Sequence, residues 1–100
     1  MTEHPLSTME KLDPEFMARL RETDALVYAD GALPRKIKLL IAMAFDAAEG
    51  TDVGVRALAG AALRAGATRA EISEVLRVAF HLSGIGTLYT ASKGLKDVLC

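Results

Sequence analysis

Apolar residues recur along the chain with the 3.6-residue period of α-helices, and no strand-like alternation persists in any segment. The clearest stripe is Leu39, Leu40, Met43, Ala44 and Ala47, and a second stripe runs from residue 72 to residue 82. This pattern predicts an all-α fold. Because the connections between the periodic segments are short, neighbouring helices are expected to be antiparallel.

Start and stop signals divide the periodic segments into four to five helices. Asp13-Pro14-Glu15 joins an N-cap acceptor, a proline at the first helical position and an acid near the positive end of the helix dipole. Thr68 and Glu71 have the spacing of a capping box. The other predicted boundaries are Asp30-Gly31, Pro34, Gly50, Thr51 or Asp52, Gly66, and the Ser83–Gly86 break before a last helix from about Thr87 to Val98.

The length of 100 residues fits one domain. We predict a single-domain antiparallel helical bundle over residues 13–100, preceded by an N-terminal arm of residues 1–12. The arm is either mobile or a short extra helix, and the sequence pattern does not choose between these alternatives.

The composition adds an expectation about assembly. Apolar residues make up 51% of the chain, but aromatic residues make up only 5%. An apolar composition with few aromatic side chains suits closely packed helices. A chain this small cannot bury so much apolar surface alone, and exposed apolar patches usually mark interfaces. We therefore expect a homo-oligomer.

Charge and cysteine content exclude several classes of partner and site. The net charge is −1 and neither sign dominates a segment, so neither a nucleic acid nor a membrane is expected as a partner. The longest apolar run, Leu39 to Phe45, is far shorter than the roughly 20 residues of a membrane span, and the N-terminus lacks the pattern of a secretory signal. The single cysteine, Cys100, cannot form a disulfide within the chain. We expect a cytoplasmic protein that has neither a cofactor nor a metal site.

A family resemblance lies in the order of these features. Leu-Pro-Arg-Lys opens a helix, an alanine-rich helix ends in glycine, and the next helix closes on "AGATRAEISEVL" before an apolar helix that is broken by glycine. From Gly31 to Ala91, this order resembles the carboxymuconolactone decarboxylase superfamily, which includes the alkylhydroperoxidase D-like proteins. The resemblance implies an alkylhydroperoxidase D-like bundle that assembles as a trimer or hexamer.

The resemblance also implies where reactive groups would stand. In the peroxidase branch, two cysteines, a histidine and a glutamate form the redox site, and their positions fall on Thr51, Gly54, Leu58 and Leu39 of this chain. The decarboxylase branch has a histidine at the position of Leu58 and a glutamate at that of Gly54. All of these groups are absent here, so neither a dithiol cycle nor that acid/base pair can be carried over. The four positions remain candidates for the lining of a pocket.

His81 is the remaining candidate for a catalytic group. It forms a polar row with Glu74 and Arg77 on a helix whose opposite face is apolar, and the row leads to the glycine break. His81 would act there as a base or polar anchor, in a pocket that Arg77 and Tyr89 also line. The alternative is a solvated polar row on the surface.

Two groups of charged residues carry further hypotheses. Arg35, Lys36 and Lys38 stand in the first turn of a helix, where cations oppose the helix dipole. They either bind an anion or pair with neighbouring acids such as Asp24 or Asp30.

Asp46 interrupts an apolar stripe. If it is buried it needs a partner, and we predict Arg56 of the next helix for this role. With Glu49 and Asp52 it also forms a carboxylate group that could ligate a metal, although solvated helix caps are the interpretation we favour.

These observations support three hypotheses. The first is an oligomeric family member without redox chemistry that binds a small apolar or anionic molecule. The second is an acid/base enzyme of the lactone decarboxylase type with relocated residues, and the third is a non-catalytic helical scaffold. Thiol peroxidase activity would follow from the family label alone.

Overall fold

Six α-helices account for most of the structure, a computed structural model that describes residues 6–99. The predicted all-α fold is confirmed. The predicted number of four to five helices is exceeded by one, because a short helix forms within the arm, where a mobile segment and an extra helix were the alternatives. Residues 1–5 and Cys100 lie outside the described residues. The helices are α1 (Ser7–Leu12), α2 (Pro14–Val27), α3 (Arg35–Glu49), α4 (Asp52–Arg64), α5 (Arg69–Ser83) and α6 (Gly86–Leu99).

The helix ends follow local side-chain chemistry. Asp13 accepts a hydrogen bond of 3.1 Å from the Phe16 backbone amide at the start of α2. At the start of α5, the Thr68 hydroxyl accepts from the Glu71 amide at 3.1 Å, and the Glu71 carboxylate accepts from the Thr68 amide at 2.9 Å. Gly50 ends α3 with a φ of 87°, a conformation that favours glycine. The predicted capping box and the glycine stop are confirmed.

α3 is the central helix of the bundle, since it packs against α4, α5 and α6. It contributes four buried residues to the core, whereas α4 contributes mostly alanine. The predicted apolar stripe of α3 therefore faces inward. The core consists of Leu39, Leu40, Met43, Ala47, Val55, Ala59, Ala62, Ala67, Ile72, Leu76, Ala91 and Leu95.

α1 and α2 form a hairpin beside this bundle. Met17 is the buried residue of the hairpin, and an ion pair joins Arg21 of α2 to Glu10 of α1. Tyr28, directly after α2, packs against the core. The core itself begins at α3.

α4 and α6 approach each other closely at Gly94. A β-carbon at this position would lie 2.7 Å from the backbone oxygen of Asp52 and 2.8 Å from Cβ of Val55. Neither neighbour is the flexible end of a side chain, so the two helices would have to move apart. The absence of a side chain at Gly94 thus sets the distance between α4 and α6.

We predict that Gly94→Ala lowers the free energy of unfolding by about 1–3 kcal/mol, because overpacking outweighs the better helix propensity of alanine. Gly60→Ala, also inside a helix, is the matched control. Its β-carbon would meet only the end of the Arg64 side chain, at 3.4 Å. It should gain up to about 1 kcal/mol.

Urea unfolding at one fixed protein concentration measures both changes. Equal effects of the two substitutions would contradict the assigned contact at Gly94.

Candidate functional site

The four positions implied by the family resemblance lie in α3 and around the start of α4. Leu39 is buried in the core, and Leu58 is half-buried and packs against the same core. Thr51 directly precedes α4, is exposed and makes no capping hydrogen bond with its side chain. Gly54 is half-buried in the first turn of α4. Two apolar side chains, one hydroxyl and one hydrogen therefore occupy these positions.

A carboxylate from another helix fills the space beside Gly54. Asp46 of α3 lies so close that a β-carbon on Gly54 would stand 2.7 Å from the Asp46 Cγ. Within residues 6–99, the Asp46 side chain has no hydrogen-bond or ion-pair partner. The predicted pair with Arg56 is wrong, since Arg56 Nη2 lies 4.0 Å from Asp97 Oδ2 of α6 instead. Comparing one position at a time missed this carboxylate, because its place beside Gly54 depends on how α3 and α4 pack.

The surroundings of Asp46 disfavour its charge. Burial raises the pKa of the Asp46 carboxyl above its ordinary value, and the carboxylate of Glu49 raises it further. The pKa of Tyr28 is also raised, mainly by burial and then by the carboxylates of Asp24 and Asp46. The folded chain thus holds the Asp46 proton more tightly than the unfolded chain, and stability falls as the pH rises through the folded pKa. An unpaired, half-buried carboxylate of this kind is suited to proton transfer.

The three cations at the start of α3 have partners within the chain. The Arg35 guanidinium donates to the backbone carbonyl of Tyr28 at 3.4 Å, and the Lys38 ammonium donates to the backbone carbonyl of Ala29 at 2.7 Å. Lys36 forms an ion pair of 3.1 Å with Glu71 of α5. Of the three cations, Lys36 therefore pairs with an acid, which is Glu71. The predicted partners Asp24 and Asp30 form no ion pair with these side chains within residues 6–99; Asp30 instead accepts from the Arg35 backbone amide at 2.7 Å. These contacts within the chain compensate the positive charges at the start of α3, which were the electrostatic reason for expecting a bound anion.

Among the hollows on the surface of the described chain are three with volumes of about 400, 340 and 300 Å³. The largest of them is an apolar groove between two helices, which we name the α3/α5 groove. Side chains at its edge are strongly exposed, with 64% for Phe45 and 79% for Leu82. Its lining consists of Ile41, Ala44, Phe45, Ala48, Val75, Val78, Ala79, Leu82 and Ser83.

His81, Arg77 and Tyr89 line none of these three hollows. All three side chains are exposed, Tyr89 to 75%. The hydroxyl of Thr87, by contrast, is buried and has no hydrogen-bond partner in the described part of the chain. One copy of the chain therefore does not gather His81, Arg77 and Tyr89 into a pocket, and the catalytic role of His81 stays a prediction.

Two further findings concern residues 6–99 alone. No group of three or more His, Cys, Asp or Glu side chains lies close enough together to hold a metal ion. Asp46, Glu49 and Asp52, which the sequence suggested as a carboxylate group for a metal, therefore do not form such a group within these residues. Nor does any helix there combine the length and the apolar composition that a bilayer crossing requires.

Comparisons with known proteins identify the family. The profile of the carboxymuconolactone decarboxylase family matches residues 14–97. The chain belongs to this family. Its fold is similar to the crystal structure of the apo form of a carboxymuconolactone decarboxylase family protein from Legionella pneumophila, with 31% sequence identity and a TM-score of 0.83. That likeness covers 91% of this chain and 81% of the other. Among curated proteins, the comparison finds no match.

For this member of the carboxymuconolactone decarboxylase family, we predict that Gly54→Ala lowers the free energy of unfolding by about 1–3 kcal/mol. The added methyl group displaces the Asp46 carboxylate. In an Asp46→Ala background the same substitution should be neutral or stabilising, because the obstacle is gone and alanine favours the helix.

The four unfolding free energies of this double-mutant cycle measure the coupling between the two positions. Additive effects would show that Asp46 does not occupy the space beside Gly54.

Proposed function

We propose that this chain is an oligomeric carboxymuconolactone decarboxylase-family protein that binds a small, largely apolar molecule and carries out no dithiol chemistry. The observation that carries the proposal is the α3/α5 groove. Its volume of about 400 Å³ lies within the range of small-molecule sites, roughly 300–1,000 Å³. Its lining is hydrocarbon apart from the hydroxyl of Ser83, so shape and apolar contact would select the ligand.

The exposed apolar surface supports an assembly of copies of this chain. Large apolar side chains are exposed on α2, α3 and α5. Their number exceeds the scattered single apolar residues that are normal on a protein surface. A second copy placed against this surface would enclose the groove, which is open in one copy. The trimer or hexamer implied by the family resemblance is the assembly we propose.

Dithiol peroxidase activity is not part of the proposal. A dithiol cycle requires an attacking thiol and a resolving thiol. The chain has one cysteine, Cys100, and the positions that would hold the pair are Thr51 and Gly54. The chain therefore lacks the second thiol that the reduction of peroxide through an internal disulfide cycle requires.

We predict that Ala48→Phe weakens binding of the neutral apolar dye N-phenyl-1-naphthylamine at least tenfold, because the new ring fills the groove. Ala57→Phe, at an exposed position of α4 outside the groove, is the matched control and should leave the affinity unchanged. Dye fluorescence gives the dissociation constants, and light scattering gives the assembly state of each variant.

The same experiment separates ligand binding from the scaffold hypothesis. A wild-type oligomer that binds no dye, or equal affinities of the two variants, would reject the groove as a ligand site and favour the scaffold.

A second candidate function is acid/base chemistry, and the unpaired Asp46 carboxylate favours it. The family name points to lactone carboxylates as the class of substrate to test. Asp46 would move the proton at a site beside Gly54, where its raised pKa is nearer to neutrality than that of an ordinary aspartate.

We predict for this candidate that Asp46→Asn lowers turnover of a lactone carboxylate by about a hundredfold or more, the usual contribution of a general acid or base. Glu49→Gln, the neighbouring exposed carboxylate, is the control and should retain turnover. The decisive measurement is decarboxylation rate against pH. No turnover by the wild type across a panel of such lactones, or equal turnover of the two variants, would remove this candidate.

A further inference from the structure

A single carboxylate, that of Glu71, joins two helices at the start of α5. Its Oε1 accepts a hydrogen bond of 2.9 Å from the Thr68 amide and so completes the capping box. Its Oε2 accepts from the Lys36 ammonium of α3 at 3.1 Å. Both oxygens of this side chain are therefore engaged, one with the cap of its own helix and the other with α3.

The ion pair between Lys36 and Glu71 is shielded from water more than the others of the described chain. Its two side chains are 30% and 35% exposed. In the other ion pairs within residues 6–99, every side chain is at least 39% exposed. Because screening by solvent weakens exposed pairs most, the charge of Glu71 is expected to matter more than that of an ordinary surface carboxylate.

The capped turn covers buried residues on both of its sides. Ala67 precedes the cap and is 7% exposed, and Ile72 follows Glu71 and is 1% exposed. A surface hollow of about 300 Å³ between α3 and α5 borders Glu71, so the helix contact is not closely packed on this side. Local opening of the first turn of α5 would bring water to Ala67 and Ile72.

The immediate surroundings of Glu71 favour its ionised form. The bond from the Thr68 amide, followed by that from Lys36, lowers the pKa of the Glu71 carboxyl below its ordinary value, and burial opposes this only in part. The stabilisation from these bonds is therefore complete above the ordinary pKa of a glutamate, and it is lost as the pH falls through the lowered pKa of the folded chain.

Other charged groups near the start of α5 are engaged elsewhere or face water. Arg35 and Lys38 of α3 donate to backbone carbonyls that precede α3, and Arg69 of α5 donates to a backbone carbonyl at the end of α6. Glu74 is exposed and makes no hydrogen bond or ion pair in the described chain. Nor does any side chain of α6 bond to Glu71 within residues 6–99. None of these groups replaces the contacts that Glu71 loses when it is protonated.

Acid acts on both contacts of Glu71 through one proton. A protonated carboxyl carries no charge to attract Lys36, and it is a weaker acceptor for the Thr68 amide than a carboxylate is. Lys36 keeps its charge and returns to water. The helix contact and the helix cap thus weaken together.

We propose that Glu71 is an acid-released latch, which holds the first turn of α5 to α3 while it is ionised and lets that turn open locally once it is protonated. The rest of the bundle stays folded when the latch opens. The latch is independent of the proposed function, because Glu71 lines neither the α3/α5 groove nor the space beside Gly54.

Hydrogen exchange of the full-length folded protein, followed by mass spectrometry, tests the latch, since the amides of residues 68–76 report opening of this turn. At about pH 6, we expect Glu71→Gln to lower their protection about fivefold or more, because glutamine keeps the shape of the cap and loses the charge. Glu74→Gln, an exposed carboxylate one turn farther along, is the matched control and should leave the protection unchanged. Lys36→Met removes the ion pair alone and should give a smaller loss.

A pH series on the wild type gives a second result that needs no substitution. Between about pH 6 and about pH 3.5, its protection in residues 68–76, corrected for the intrinsic exchange rate, should fall to the level of Glu71→Gln, whose own protection changes little. Equal protection of Glu71→Gln and Glu74→Gln at pH 6 would overturn the inference. An acid-induced loss that is equally large in residues 39–47 of α3 would overturn it as well, since the whole bundle would then unfold together.

Discussion

The spacing of α4 from its neighbours is the constraint on which the rest of this structure depends. α4 meets α6 at Gly94, where a β-carbon would collide with the backbone oxygen of Asp52 and with Cβ of Val55. It meets α3 at Gly54, where a β-carbon would collide with the side chain of Asp46. Its buried residues between these contacts are small, chiefly Ala59 and Ala62. Backbones this close leave little room for large side chains between them.

The narrow interior explains the apolar exterior. A core of five alanines and seven larger residues cannot accommodate every apolar side chain of a chain that is 51% apolar. Ile41, Phe45, Val78 and Leu82 consequently stand on the outer side of α3 and α5. The groove that these residues form is thus a consequence of close packing elsewhere.

Sequence signals that act within one turn of helix predicted the structure well. The Thr68–Glu71 capping box, the Asp13 cap and the Gly50 stop depend only on residues a few positions apart, and all three form as expected. Contacts between helices were harder to predict. Asp46 and Arg56 are close in sequence, but Arg56 lies beside Asp97, which no local pattern could indicate.

At the candidate site, too, contacts between helices could not be predicted from local sequence patterns. Comparison with the family frame predicts that reactive groups are missing at Thr51, Gly54 and Leu58, and this prediction needs only the sequence. It cannot show that Asp46 enters the space that Gly54 leaves open, since that depends on how α3 and α4 pack. The α3/α5 groove was not predicted, because periodicity gives the face of a helix and not the shape between two helices.

The two functional candidates use different sides of α3. Phe45 lines the groove toward α5, whereas Asp46 is roughly 100° farther around the helix and lies against Gly54 of α4. A small molecule held in the α3/α5 groove of one subunit is therefore separated from that subunit's Asp46 by the body of α3. Binding in the groove and proton transfer by Asp46 can act on the same molecule only if another subunit supplies one of them. For this reason the effect of Ala48→Phe on dye affinity and that of Asp46→Asn on turnover report on two different surfaces, and neither result can stand in for the other.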